Sequence, residues 1–233
     1  MSCMIRRAES PVSLSPERHP IDVARDLLGT ALVCRGTAAV LVEVEAYHEE
    51  EPACHGYGRR PTARTEDLFG EAGTLYVYFT YGMHWCANLV TSERGVAAAV
   101  LFRAGIPVHG EALMRERRAR TRAAPDPAAL LVRELCAGPA RLVQALDIRA
   151  ADRRTRLLDH TATTLTEALV LADFGPVLVH DVELARSVGL ELPLTDNNVT
   201  DSPRIGISAA VDLPWRLTAG DGTYLSRPAP RRA

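Results

Sequence analysis

Apolar and polar positions alternate most regularly in the run VLVEVEAY. A strand sends successive side chains to opposite faces, so Val40, Val42, Val44 and Ala46 share one face and Leu41, Glu43, Glu45 and Tyr47 the other. This predicts a strand over Ala38–Tyr47, separated by Arg35-Gly36 from another over Thr30–Cys34. A short helix over Asp22–Leu28 follows Pro20 and ends near Gly29. Tyr76 and Tyr78 alternate with Leu75, Val77 and Phe79, and Thr74–Tyr81 with Met83–Val90 predict a hairpin whose tip lies at or near Tyr81-Gly82. Ala97–Arg103 has the continuous apolar character of a buried strand. A polar helix is predicted over Gly110–Arg122, then a loop over Ala123–Pro127. A further helix over Ala128–Leu135 is broken by Gly138-Pro139 and followed by a helical run over Ala140–Leu146. Ala168–Ala172 and Pro176–His180 resemble strands. No repeat or linker interrupts the pattern. The expectation is one domain of mixed strands and helices over 19–226, with an N-terminal extension over 1–18 and a disordered tail over 227–233.

Composition narrows the class. The chain has 233 residues, 47% hydrophobic and 24% charged, enough for one domain with a substantial core. No apolar run approaches the roughly 20 residues of a membrane helix, and MSCMIRRAESPVS lacks the apolar centre of a signal peptide. No membrane partner is therefore expected. The five cysteines are odd in number and show no CxxC spacing, which predicts reduced thiols, a cytoplasmic location and no structural zinc. Net charge is −2, but from Arg103 to Arg156 there are 12 arginines against 6 acids. That excess suits either a phosphate-facing surface or a solvated arginine-rich segment. All 27 basic residues are arginine, so no side-chain amine is available for imine chemistry.

Two blocks carry candidate chemistry. Glu43 and Glu45 on one face of an apolar strand are costly to bury unless paired or functional; the alternative is an edge strand with both in water. Glu43, Glu45, His48, Glu49 and His55 could also be metal ligands, but their spacing matches no HExxH-type pattern. In GTLYVYFTYGMHWCAN, Tyr76 and Tyr78 could stack on a planar ligand, a nucleobase being the first candidate, or serve as ordinary strand formers. Tyr81, projecting at the turn, suits a wedge filling the gap left by an extruded nucleotide. Extrusion costs a few kcal/mol and stacking returns about 1–3 kcal/mol per base.

Taken together, VEVEAY, CHGYGRRPTARTEDLF, GTLYVYFTYGMHWCANLV, VLFRAGIP, ELCAGPARLVQAL and PRIGI resemble the alkyladenine (3-methyladenine) DNA glycosylase family, in the family's order and across most of the chain. The resemblance implies a single compact α+β domain with a curved antiparallel sheet, surrounding helices and a protruding hairpin. It also implies no metal or other cofactor, a monomer, and removal of alkylated or deaminated purines from duplex DNA. A nucleoid-associated location is expected if the source is bacterial. Residue by residue, Glu45 corresponds to the general base and Arg103 to an arginine near the water. Tyr47, His55 and Tyr78 correspond to the walls of a flipped-base pocket, with Tyr76 stacking beside them, Asn88 at its side and Ile207 supplying main-chain contacts. Tyr81, with Gly82 and Met83, corresponds to the wedge, and Thr62 and Arg64 to backbone contacts. The acidic stretch His48–Glu51 departs from the pattern and should oppose DNA approach or favour cationic lesions. His84-Trp85 is a second departure. A binding module that recognises modified bases without cutting them, and a metal-dependent phosphodiester hydrolase, are the rival readings.

Overall fold

The alternation in VLVEVEAY produces the central strand of the molecule. The computed structural model describes residues 12–15, 18–80, 82–120, 126–157, 162–173 and 175–229. In it β1 (Ala31–Cys34) and β2 (Thr37–His48) form a tight antiparallel pair, and β2 also pairs along its length with β5 (Ala98–His109). β3 (Leu75–Thr80) and β4 (His84–Val90) form the hairpin, β4 leaning on β5. β6 (Val177–Val179) extends the sheet beyond β1. β7 (Val199–Ser202) pairs with β8 (Arg216–Ala219), which pairs with β2 at Glu43–Glu45. The order is β3-β4-β5-β2-β1-β6, with β8 and then β7 branching from β2.

Six α-helices surround this eight-stranded antiparallel sheet among the described residues: α1 (Pro20–Leu27), α2 (Glu111–Ala119), α3 (Val132–Leu135), α4 (Pro139–Leu146), α5 (Leu165–Leu171) and α6 (Val182–Ser187). The chain is a single α+β domain, as expected. α1 packs on β2 and β5, α4 on β4 and β5, and α5 on β1 and β6. Leu27, Leu41, Leu89, Phe102, Leu142 and Leu146 are fully buried in the main core. Each such side chain contributes about 1.5–3 kcal/mol by leaving water. A second, smaller cluster of Cys54, Leu68, Phe69, Tyr76, Val90, Ala97 and Ala99 lies under Tyr47 and Tyr78. It gives the aromatic hairpin a rigid backing.

Several elements differ from the sequence expectation. ALVLA at 168–172 belongs to helix α5, because Thr164 and Glu167 form a reciprocal cap at its start. Ala128–Leu135 splits into a 3-10 turn at Pro127–Ala129 and the short α3. β5 runs beyond Arg103 to His109, tolerating Pro107 beside a register shift at Ala38/Ala39. α6, β7 and β8 were not expected. Part of the loop over Ala123–Pro127 and the tail beyond residue 229 lie outside the described residues. Cys34, Cys54, Cys86 and Cys136 are free and buried. No helix among the described residues is long and apolar enough to cross a membrane.

Candidate active site

Because β2 is flanked on both sides, Glu43 and Glu45 do not face water: each is 0% exposed. The edge-strand expectation fails for that reason. Glu43 Oε1 accepts from Arg103 Nε at 2.9 Å, Arg216 Nε at 2.9 Å and Ser226 Oγ at 2.6 Å, and Oε2 accepts from Ser226 N at 2.6 Å. Three of these four donors converge on Oε1 and one on Oε2, and two of them are guanidiniums. Glu45 receives three. Its Oε1 accepts from Ile205 N at 2.7 Å, and its Oε2 from Tyr47 Oη at 2.8 Å and Arg103 Nη1 at 3.1 Å.

The electrostatics follow from these partners. Burial pushes the Glu43 carboxyl up, but Arg103, Ser226 and Arg216 together outweigh it and leave it below its ordinary value. For Glu45 burial dominates; Arg103, the Ile205 amide and the Tyr47 hydroxyl oppose it only in part, and the carboxyl stays raised. A raised carboxyl is a stronger base when ionised.

Glu45 sits directly behind the wall of a cavity of about 440 Å³, whose lining includes all three of its donors, Tyr47, Arg103 and Ile205. That volume lies within the range of small-ligand sites. Tyr76 and Tyr78 share a face of β3, as alternation predicts, and their rings stack 5.3 Å apart at 27°. The His55 ring stands edge-on to Tyr78 at 4.6 Å, and its Nδ1 lies 3.2 Å from the Tyr76 hydroxyl. Burial and nearby Arg64 lower the His55 pKa, favouring the neutral imidazole. Gly56 lets this loop approach β5, since a Cβ there would lie 2.1 Å from that of Ala97. Tyr47, Tyr76 and Tyr78 are all raised by burial and remain neutral phenols. Asn88 and Ile207 also line the cavity; the Asn88 amide donates to the Tyr76 carbonyl at 3.0 Å. Two residues before Ile207, the Ile205 amide is the donor to Glu45.

Thr80 and His84, on either side of the hairpin turn, line this cavity. Gly82 at the hairpin turn has φ +64°, a conformation glycine adopts readily. Met83 is 68% exposed, Phe79 and Trp85 pack against each other at 4.9 Å, and Tyr81 itself lies outside the described residues. Arg64 reaches from the neighbouring loop to the Phe79 carbonyl at 3.0 Å and over the Tyr78 ring, with Thr62 turned back onto Thr65. Much of the Arg103–Arg156 excess is engaged within the fold. Arg153 and Arg154 bind Asp67, Arg156 binds Glu71, and Arg117 holds the carbonyls of Arg35 and Ala145.

Much of the acidic stretch is neutralised within the fold, leaving Glu50 exposed. Glu49 and Glu51 are buried, Glu49 pairing with Arg59 at 2.5 Å and accepting from Ala97 N, and Glu51 pairing with Arg204 at 2.6 Å. The candidate metal ligands are dispersed among separate partners: Glu43, Glu45 and Glu49 on the donors above, His48 beside Glu50, and His55 beside Tyr76. Three residues were missed by sequence reasoning. Arg204 lies between the rings of Tyr47 and Trp215, at 4.6 and 5.2 Å, and braces Tyr47 from behind. Arg216 and Ser226 hold Glu43. The only local signal was an arginine or serine in an otherwise ordinary segment.

Comparison with known proteins agrees with this arrangement. The sequence profile of the methylpurine-DNA glycosylase family matches residues 15–222. A protein of Rhodopseudomonas palustris is 40% identical over 210 residues, covering 90% of this chain and 84% of the relative. One from Bradyrhizobium diazoefficiens is 40% identical, covering 90% and 87%. One from Francisella tularensis is 36% identical, covering 89% and 93%. Each carries the name "Putative 3-methyladenine DNA glycosylase".

Proposed function

The chain belongs to the methylpurine-DNA glycosylase family, and from that premise we propose that it excises damaged purines from duplex DNA with Glu45 as the base that activates water. As a 3-methyladenine DNA glycosylase it is a hydrolase of N-glycosyl bonds acting in DNA repair. The lesion rotates out of the helix into the cavity and stacks among Tyr47, His55 and Tyr78. Tyr81 fills the gap it leaves, flanked by Gly82 and Met83, while Thr62 and Arg64 meet the backbone. Water attacks C1′, the bond from C1′ to the purine nitrogen breaks, and the bonding electrons leave with the base. Glu45 takes the proton of the water and, with Arg103 beside it, faces the positive charge that develops on the sugar. Substrates include 3-methyladenine, 7-methylguanine, ethenoadenine and hypoxanthine.

The observation that carries this reading is the unequal filling of two equally buried carboxylates. Glu43 has four donors, two of them guanidiniums, whereas Glu45 has three, one a guanidinium, and all three of its donor residues line the cavity. Since the chain holds no lysine, the enzyme is monofunctional and leaves an intact abasic site.

The test is base release, with chelator present, from duplexes carrying one lesion. Glu45→Gln should lower release by about 10²–10⁴-fold, the range for losing a positioned base, with lesion binding retained. Equal release by wild type and variant would remove Glu45 from the role. A covalent complex trapped by borohydride would overturn the monofunctional assignment.

A further inference from the structure

We propose that Ser226, near the C-terminal end of the described chain, is a positioning residue for this reaction, setting the plane of Arg103 and through it the charge state of Glu45. The inference rests on Glu45 being the base. Arg103 uses each of its three side-chain nitrogens on a different partner: Nε on Glu43, Nη1 on Glu45 at 3.1 Å and Nη2 on Ser226 Oγ at 3.2 Å. A guanidinium is a rigid planar fork, so fixing Nε and Nη2, which form one edge, fixes the direction of Nη1 at the other end. Ser226 holds the Nη2 end of that edge. The same hydroxyl donates to Glu43 Oε1 at 2.6 Å, and the Ser226 amide donates to Oε2 at 2.6 Å. The next carbonyl, of Arg227, accepts from Arg216 Nη2 at 2.6 Å. Two residues of chain thus clasp the two guanidiniums that neutralise Glu43.

Without the hydroxyl, Arg103 Nη2 loses its acceptor and Glu43 Oε1 loses a neutral donor. The stronger draw on Arg103 is then toward Glu43, and its Nη1 turns away from Glu45. The groups facing Glu45 are Glu43 and Tyr47 on β2, Arg103 on β5, Tyr78 on β3, Cys86 on β4 and the Ile205 amide. Arg216 on β8 stands opposite Glu45 but spends its Nε on Glu43; Arg103 is the cation that bonds Glu45 directly, so its displacement makes Glu45 harder to ionise.

The experiment is single-turnover base release against pH for wild type, Ser226→Ala, Ser226→Thr and Glu45→Gln on a 7-methylguanine duplex, with lesion affinity measured in parallel. Ser226→Ala should slow release about tenfold, the effect of losing one hydrogen bond to a charged group. It should also move the acid limb of the profile to higher pH and leave affinity unchanged. Ser226→Thr, which restores the hydroxyl, should recover both rate and limb. A uniform loss of rate with an unmoved limb, or no rescue by threonine, would overturn the proposal. A wild-type profile for Ser226→Ala, with Glu45→Gln inactive, would overturn it while leaving Glu45 as the base. Glu45→Gln as active as wild type would overturn both.

Discussion

Glu43 and Glu45 stand two residues apart on one face of β2, both fully buried and both touching Arg103. Glu43 has two guanidiniums, a hydroxyl and an amide, and is held below its usual value. Glu45 has one guanidinium, a phenol and an amide, and is held above it. Burial is therefore not what separates a depressed carboxyl from a raised one. The number of donors, and how many are cationic, decides it. At Glu43 the carboxylate holds two guanidiniums and ties three segments together; two residues on, Glu45 holds one guanidinium, and its three donors line a cavity.

The largest expected effect that would break this comparison is on folding. Glu43→Gln leaves Arg216 without its buried carboxylate and should cost about 3–5 kcal/mol, as breaking a buried pair does, whereas Glu45→Gln should unfold close to wild type. Urea unfolding of both variants checks this, and equal losses would erase the distinction. Next, Tyr78→Ala removes a stacking surface on the Glu45 side. Lesion affinity should drop by about 1–3 kcal/mol, measured by competition against undamaged duplex, with little change at the Glu43 end.

A smaller effect sharpens the contrast in sign. The depressed carboxyl of Glu43 stabilises the fold above the unfolded value of about 4.3 and loses that contribution as pH falls through its folded value. Glu45, being raised, costs nothing below that unfolded value; its cost grows as pH rises toward the folded value and is complete above it. Urea midpoints measured on either side of the unfolded value of about 4.3 should therefore show the Glu43→Gln deficit shrinking on acidification. Any gain in Glu45→Gln should vanish over the same direction. Deviations of the same sign in both variants would contradict the assignment. The smallest effect lies outside both carboxylates: Arg64→Ala should reduce the slope of log affinity against log salt by about one, read from binding titrations at several salt concentrations.

The sequence showed some of this and hid the rest for physical reasons. VLVEVEAY and LYVY declare their faces because strand alternation is local, and Tyr76, Tyr78, Glu43 and Glu45 came out on the faces predicted. ALVLA misled because a short apolar run fits a strand or a helix, and the deciding signal, Thr164 with Glu167, lies just upstream. The acidic stretch misled because charge was counted without partners: Arg59 and Arg204 neutralise Glu49 and Glu51 from 10 and 153 residues away. Arg216 and Ser226 were invisible for the same reason, since nothing nearby in the chain marks them as partners of Glu43.

Those separations have a consequence for how the protein is made. Ile205 and Ser226 lie 160 and 183 residues from the carboxylates they hold. Synthesis at about 5–20 residues per second takes roughly ten to forty seconds to cover the longer gap. Through that interval the tyrosine walls and Arg103 already exist as chain, while Glu43 lacks Arg216 and Ser226 and Glu45 lacks the Ile205 amide. The buried carboxylate network is therefore completed only by the last part of the chain to be made.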